Sequence, residues 1–280
     1  MARGSTAVTR IITVANQKGG VGKTTSTVNL AAAAALSGAH VLVIDLDPQG
    51  NASTALGVDH REGIPSIYEV LSGDAPLREV LQQCPDIPTL TVAPATIDLA
   101  GAEIELVSQV AREYRLSRAL QQYLAERDGS GEAELDLVFL DCPPSLGLLT
   151  LNGLVAAREV LLPIQCEYYA LEGLSQLLRT IDMVRTHLNP DLTVGAILLT
   201  MYDGRTRLAS QVADEVRTHF GTQVLDTVIP RSVRVSEAPS YSQTVVTYDP
   251  TSSGAIAYRE AAAQVLTLNP STDLSTDISG

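Results

Sequence analysis

Between a β-branched apolar run, Ile11-Ile12-Thr13-Val14-Ala15, and an alanine-rich run, Val28 to Leu36, lies the stretch Gln17-Lys18-Gly19-Gly20-Val21-Gly22-Lys23-Thr24-Thr25. Strand, glycine-rich loop and helix in that order are the context a phosphate-binding loop requires. Glycines let backbone N–H groups close around phosphate oxygens, and the helix N-terminus adds partial positive charge. In that frame Lys23 reaches the β- and γ-phosphates of a nucleotide and the Thr24 hydroxyl sits on Mg²⁺. The usual pattern has glycine five residues before Gly22, where this chain has Gln17, and beside it stands a second lysine, Lys18. The nineteen basic residues comprise seventeen arginines and two lysines, and the two lysines are Lys18 and Lys23. Both positions therefore select a compact ammonium over a broad guanidinium.

Further strand-like runs alternate with helical stretches, which predicts a mostly parallel sheet with helices on both faces. His40 to Asp47 is an apolar run ending in carboxylates, broken by Pro48-Gln49-Gly50-Asn51. Its C-terminal end is where ligands of open α/β sheets collect, and period two puts Asp45 and Asp47 on one side. Such a pair can bind metal-held water, orient an attacking water, or cap a turn. Leu135 to Asp141 is a second apolar run ending in aspartate. An aspartate there, beside a phosphate loop, commonly holds Mg²⁺ through water. Glu159–Ile164, Val194–Tyr202 and Val224–Ile229 read as strands, residues 52–89 as surface connection, Leu99–Glu126 as one or two helices, and Asp128-Gly129-Ser130-Gly131 as a loop.

Composition narrows the field. A hydrophobic fraction of 45% is ample for a core, but no apolar run approaches the roughly 18 residues of a membrane span. Met1 to Thr9 is short and polar, without a signal-peptide core. Cys84, Cys142 and Cys166 are far apart and form no C-x-x-C pair, which predicts reduced thiols in a cytoplasm and no zinc site or cluster. The net charge of −13 means that any nucleic-acid contact has to be a local patch. Between Met201 and Arg234 five arginines face four carboxylates. By charge alone that is equally a solvated face.

Lys18-Gly19-Gly20-Val21-Gly22-Lys23-Thr24 resembles the deviant Walker A motif of the ParA/MinD ATPases, whose extra signature lysine falls at Lys18. The resemblance runs from Arg10 to Leu266 and is strongest to the chromosomal ParA (Soj) branch. It implies a single doubly wound α/β P-loop domain over residues 10–267, with a flexible N-terminus at 1–9 and a disordered tail at 268–280. Gly19, Gly20, Val21, Gly22, Lys23, Thr24 and Thr25 then cradle ATP. Asp45 to Asn51 resembles switch I, whose second aspartate activates water, a role that falls on Asp47. Asp141 to Gly147 resembles Walker B and switch II, and Cys166 to Leu174 corresponds to a stretch near the dimer face. Asp203-Gly204-Arg205-Thr206 and Ile229 to Arg234 resemble the family's DNA-binding segments, which points to Arg205 and Arg234. Pro230 and Arg231 match the adenine-side loop.

The implied function is a cytoplasmic, nucleoid-associated partition ATPase that uses ATP and Mg²⁺. Its ATP-bound homodimer, with Lys18 crossing to the partner's phosphates, binds double-stranded DNA without sequence preference. A ParB-type protein stimulates hydrolysis and release. A MinD-like membrane switch is the nearest alternative, but it needs a basic amphipathic C-terminal helix, and here the last basic residue is Arg259. An iron–sulfur carrier lacks its cysteines. A small-molecule ATP-dependent enzyme of the superfamily, such as a ligase, is the remaining alternative.

Overall fold

The computed structural model describes residues 8–268, apart from residue 169 and the side chains of 170–173. The expectations for the two chain ends fall largely on residues 1–7 and 269–280, outside the described residues. Seven strands form one sheet: β1 (Arg10–Val14), β2 (Val41–Asp45), β3 (Gln82–Gln83), β4 (Leu90–Ala93), β5 (Leu137–Asp141), β6 (Glu159–Gln165) and β7 (Thr193–Thr200). Their order is β3-β4-β2-β5-β1-β6-β7. Every neighbouring pair is parallel except β3 with β4.

Alternation along the buried strands builds two apolar layers. In β2, Leu42 and Ile44 face one layer, while Val41 and Val43 face the other. The second layer is closed by helix α1 (Lys23–Leu36) and by the helix Ser253–Thr267; Ala31 to Ala35 are all buried there. Alanines let α1 lie close to the sheet and to the second helix at once, and its second half, Leu30 to Ala35, is apolar and covered all round. The helices Arg115–Ser130, Leu148–Ala156 and Ala170–His187 close the first layer.

Three stretches differ from the sequence expectation. Residues 52–89 are more than surface connection: Ile67, Leu71 and Leu77 enter the core. Helix Arg115–Ser130 runs through Asp128-Gly129-Ser130 and stops at Gly131, whose φ of 73° ends it in the left-handed region. Val224–Ile229 follows β7 without becoming a regular strand. Leu225 N and Ile229 N donate to Ile197 and Leu199 at 2.9 and 2.8 Å, but Thr227 N turns to the Gln264 side chain at 3.3 Å. That side chain takes a bond the ladder would need.

Register sets up the site. Val14 and Asp45 both stand opposite Asp141, the last residue of β5. The loop after β1 and the carboxylates of β2 and β5 therefore meet at one sheet edge, where the strands' C-terminal ends collect.

Candidate nucleotide site

The loop from Ala15 to Gly22 is held from below by two strands. Asn16 Nδ2 donates to the Pro163 carbonyl at 2.7 Å, and its Oδ1 accepts from Lys18 N at 3.0 Å. Thr200 Oγ1, at the end of β7, donates to the Val21 carbonyl at 2.8 Å. Gly20 and Gly22 have φ of 75° and 86°, a region side chains resist, and Gly22 is the residue from which α1 starts. Lys23 Nζ donates to the Lys18 carbonyl at 3.2 Å, so the loop closes around its own lysine. Burial lowers the Lys23 pKa, and the negative charge of Asp141 and Asp47 pulls it back up. Such an ammonium favours an anion that completes its neutralisation.

Behind the loop the carboxylates divide into two kinds. Asp141 is fully buried and accepts from Thr24 Oγ1 at 2.7 Å and Thr27 Oγ1 at 2.8 Å. Burial, then the neighbouring Asp45, pushes its pKa up to about 7. Asp45 is equally buried and is held by Ser53 N and Oγ at 2.9 and 2.7 Å; burial pushes it up to about 6. This buried pair is short of positive charge.

Asp47 is of the other kind. It lines an open cavity of about 360 Å³ together with Gly19, Gly20, Lys23, Thr24 and Asn51. Period two does not relate the two aspartates, because β2 ends at Asp45. Asp45 turns inward to anchor the helix Asn51–Ala55, whereas Asp47 sits in the turn, its Oδ1 accepting from Gln49 N at 3.0 Å.

Among the described residues no group of three or more His, Cys, Asp or Glu could hold a metal unaided. The donors at hand are hard oxygens, the Thr24 hydroxyl with Asp141 directly behind it. They fit Mg²⁺ carried in on phosphate oxygens and bound mostly through water. A second cavity of about 190 Å³ shares Gly22, Thr25 and Met201 with the first and is lined further by Pro230, Arg231 and Tyr258. Both border the start of α1 through Gly22 and Thr25.

The expected site residues thus separate into groups. Gly19 to Thr25, Asp47, Asp141, Pro230 and Arg231 converge on this edge. Lys18 borders the loop, but its side chain lines neither cavity; its ammonium is paired with Glu167. Arg205 and Arg234 lie on the exposed surface. Thr27, Ser53, Thr200 and Glu167 were not anticipated. Thr27 had a signal, one helical turn after Thr24 on the same face; the others depend on distant chain segments.

Residues 9–194 match the AAA domain family. The chain is 50% identical to the sporulation initiation inhibitor protein Soj of Bacillus subtilis, over 91% of this chain and 98% of that protein. It is 51% identical to the chromosome partitioning protein ParA of Myxococcus xanthus, over 91% of this chain and 87% of that one. The chain belongs to the ParA/Soj family of ATPases. It is an ATP-hydrolysing enzyme of the DNA-partition type. Among solved structures, one described as cobyrinic acid a,c-diamide synthase from Mycobacterium smegmatis, with bound ATP analogue and magnesium, is 44% identical. It superposes with a TM-score of 0.77 over 92% of this chain and 95% of that one. The fold of this ParA/Soj family member is therefore the P-loop ATPase fold, and its cofactors are ATP and Mg²⁺.

Proposed function

We propose that the protein is a nucleotide switch for DNA partition: ATP binding joins two copies, the dimer holds DNA, and hydrolysis releases it. The observation that carries this is the division of labour between the chain's two lysines. Lys23 lines the phosphate cavity, whereas Lys18 lies outside it, partly exposed and paired with Glu167, a pair that opens for its ammonium to serve a site on another subunit. A cation brought in from a second copy stabilises charge developing on the transferred phosphoryl, as an arginine finger does.

In this reading the N–H groups of Gly19 to Gly22 cradle the phosphates, Lys23 holds the β- and γ-phosphates, and Thr25 borders the α side. Thr24 faces Mg²⁺, with Asp141 acting through water. Mg²⁺, when bound, neutralises phosphate charge. Asp47, largely buried but lining the same cavity as Lys23, orients the attacking water. Pro230 and Arg231 flank the base in the smaller cavity. A ParB-type protein would stimulate hydrolysis, and the working location would be the nucleoid.

Lys18→Ala should still bind ATP as a monomer, while its ATP-dependent dimer weakens about tenfold or more through loss of the charge-assisted contacts. Sedimentation with ATP and with ADP measures this. A normal dimer with unimpaired hydrolysis would remove the cross-subunit role.

Arg205 and Arg234 are the candidate DNA contacts. With two from each subunit, a dimer engages about four phosphates, which gives a log–log salt slope of roughly −3.6 against about −1.8 for a lone subunit. Arg205→Ala or Arg234→Ala should each lower the slope by about two units while nucleotide binding survives. Wild-type slope and affinity in both variants would leave these arginines as a solvated face.

The 44% identical structure described as a synthase supports a second reading, an ATP-dependent ligase acting on a small molecule. DNA retention with ATP against ADP separates the two. A ligase would show none in either state.

A further inference from the structure

Each candidate DNA arginine is already occupied by a carboxylate of its own chain. Arg205 is 89% exposed at its side chain, yet its fork closes on Asp203, Nε and Nη2 donating at 2.8 Å each. Arg234 contacts Glu237 at 3.0 Å and Asp249 at 3.4 Å. A two-oxygen anion in the guanidinium fork occupies the place a DNA phosphate would take, because carboxylate and phosphate match the fork in the same bidentate way.

The Asp203 loop is also joined to the nucleotide site. Thr200 holds the Val21 carbonyl of the phosphate loop. The next residue, Met201, borders both cavities and has a φ of 50°, a strained value for a residue with a side chain. Tyr202 N and O then bond to Ile229 O and Arg231 N at 2.9 and 3.1 Å, so the loop and the base-side segment move as neighbours. Asp203 follows directly. It also accepts from Arg205 N through Oδ1 at 3.1 Å, a local turn that Asn can reproduce.

Resting on the partition reading, we infer that Asp203 is a built-in competitor of DNA phosphate for Arg205, and that ATP bound beside Met201 shifts that competition toward DNA. A chain of net charge −13 then holds DNA firmly only in the ATP state, because otherwise the cation stays neutralised internally. Exposed pairs of this kind are individually weak, which lets a small rearrangement of the loop open them.

The test is Asp203→Asn, which keeps the turn hydrogen bond and removes the competing charge. DNA affinity of the ATP state should rise about two- to fivefold for each subunit engaged, hence about four- to twenty-five-fold for a dimer holding both. Binding with ADP, weak in wild type, should become measurable. Heparin retention provides a second readout that does not depend on DNA being the ligand. Asp203→Asn should elute at higher salt than wild type, and adding Arg205→Ala should cancel the gain. No gain on heparin and no gain on DNA overturns the competitor role. A gain on heparin with no DNA binding under ATP leaves the masking of Arg205 standing and overturns the partition reading instead. A thermal melt matching wild type shows that the variant is folded.

Discussion

Lys23→Ala should bind ATP about 10³-fold more weakly than wild type, since two charge-assisted bonds to phosphate, each of about 2 kcal/mol, are lost together. The loss should be larger than for any other single change in the loop, because the Lys23 ammonium is the buried charge around which it closes. It donates to the Lys18 carbonyl at 3.2 Å and lies near Asp141 and Asp47. Without it the phosphates would meet buried carboxylates with no cation of the chain between them. Arginine should not rescue, since its broad fork does not fit a cavity edge shaped for a point charge. On the proposed switch, dimerisation and DNA retention should vanish with the nucleotide. Calorimetry with a slowly hydrolysed ATP analogue reads the affinity directly. Binding within a few-fold of wild type would mean that the phosphates sit elsewhere.

The part of this site legible in the sequence is the part made by consecutive residues. Gly20 and Gly22 are needed for backbone conformation, Lys23 for charge and Thr24 for its hydroxyl, all within one loop and the first turn of α1. The strands were legible for a related reason: residues buried on both faces are continuously apolar, as in Val41-Leu42-Val43-Ile44.

What escaped depends on pairings across the chain. That Asp45 stands opposite Asp141 follows from β2 lying beside β5, a neighbour far away in sequence. Once there, Asp45 is a buried anchor for Ser53 and only Asp47 remains at the cavity; period two could not tell them apart because the strand stops between them. The Lys18–Glu167 pair spans 149 positions, and Glu167 alone looks like an ordinary residue at a strand-to-helix turn. The segment after Val224 was read as a strand because its β-branched pattern is real. One glutamine side chain, from the helix Ser253–Thr267, is enough to interrupt its ladder. Arg205 and Arg234 carried no distinguishing charge signal, because carboxylates are interspersed with the arginines; in the fold each is paired, Arg205 with Asp203 and Arg234 with Glu237 and Asp249.

Asp47→Ala should leave ATP binding intact and slow hydrolysis by about 10²–10⁴-fold, the range a positioned base or water-orienting group contributes. The geometry separates it from its neighbours. Asp141 is occupied by Thr24 and Thr27, and Asp45 by Ser53 and the Asp47 N–H, and neither lines the open cavity. Asp47 uses Oδ1 for Gln49 N, and no hydrogen bond engages Oδ2 among the described residues. On the proposed reading, removing it takes away the water's orienter without touching the phosphate cradle, the proposed Mg²⁺ donors or Lys18. Binding and dimerisation should then proceed while release fails, so the variant accumulates as an ATP-loaded dimer that stays on DNA. Asp47→Asn keeps the turn hydrogen bond to Gln49 but cannot draw a proton from water, and it should be trapped in the same way. Asp45→Asn should instead lower the melting temperature more than the turnover, because its work is to hold Ser53. Single-turnover hydrolysis and dissociation from DNA, measured on the same samples, distinguish the cases. Wild-type turnover in Asp47→Ala would show that the water is oriented from the partner subunit or by the nucleotide itself.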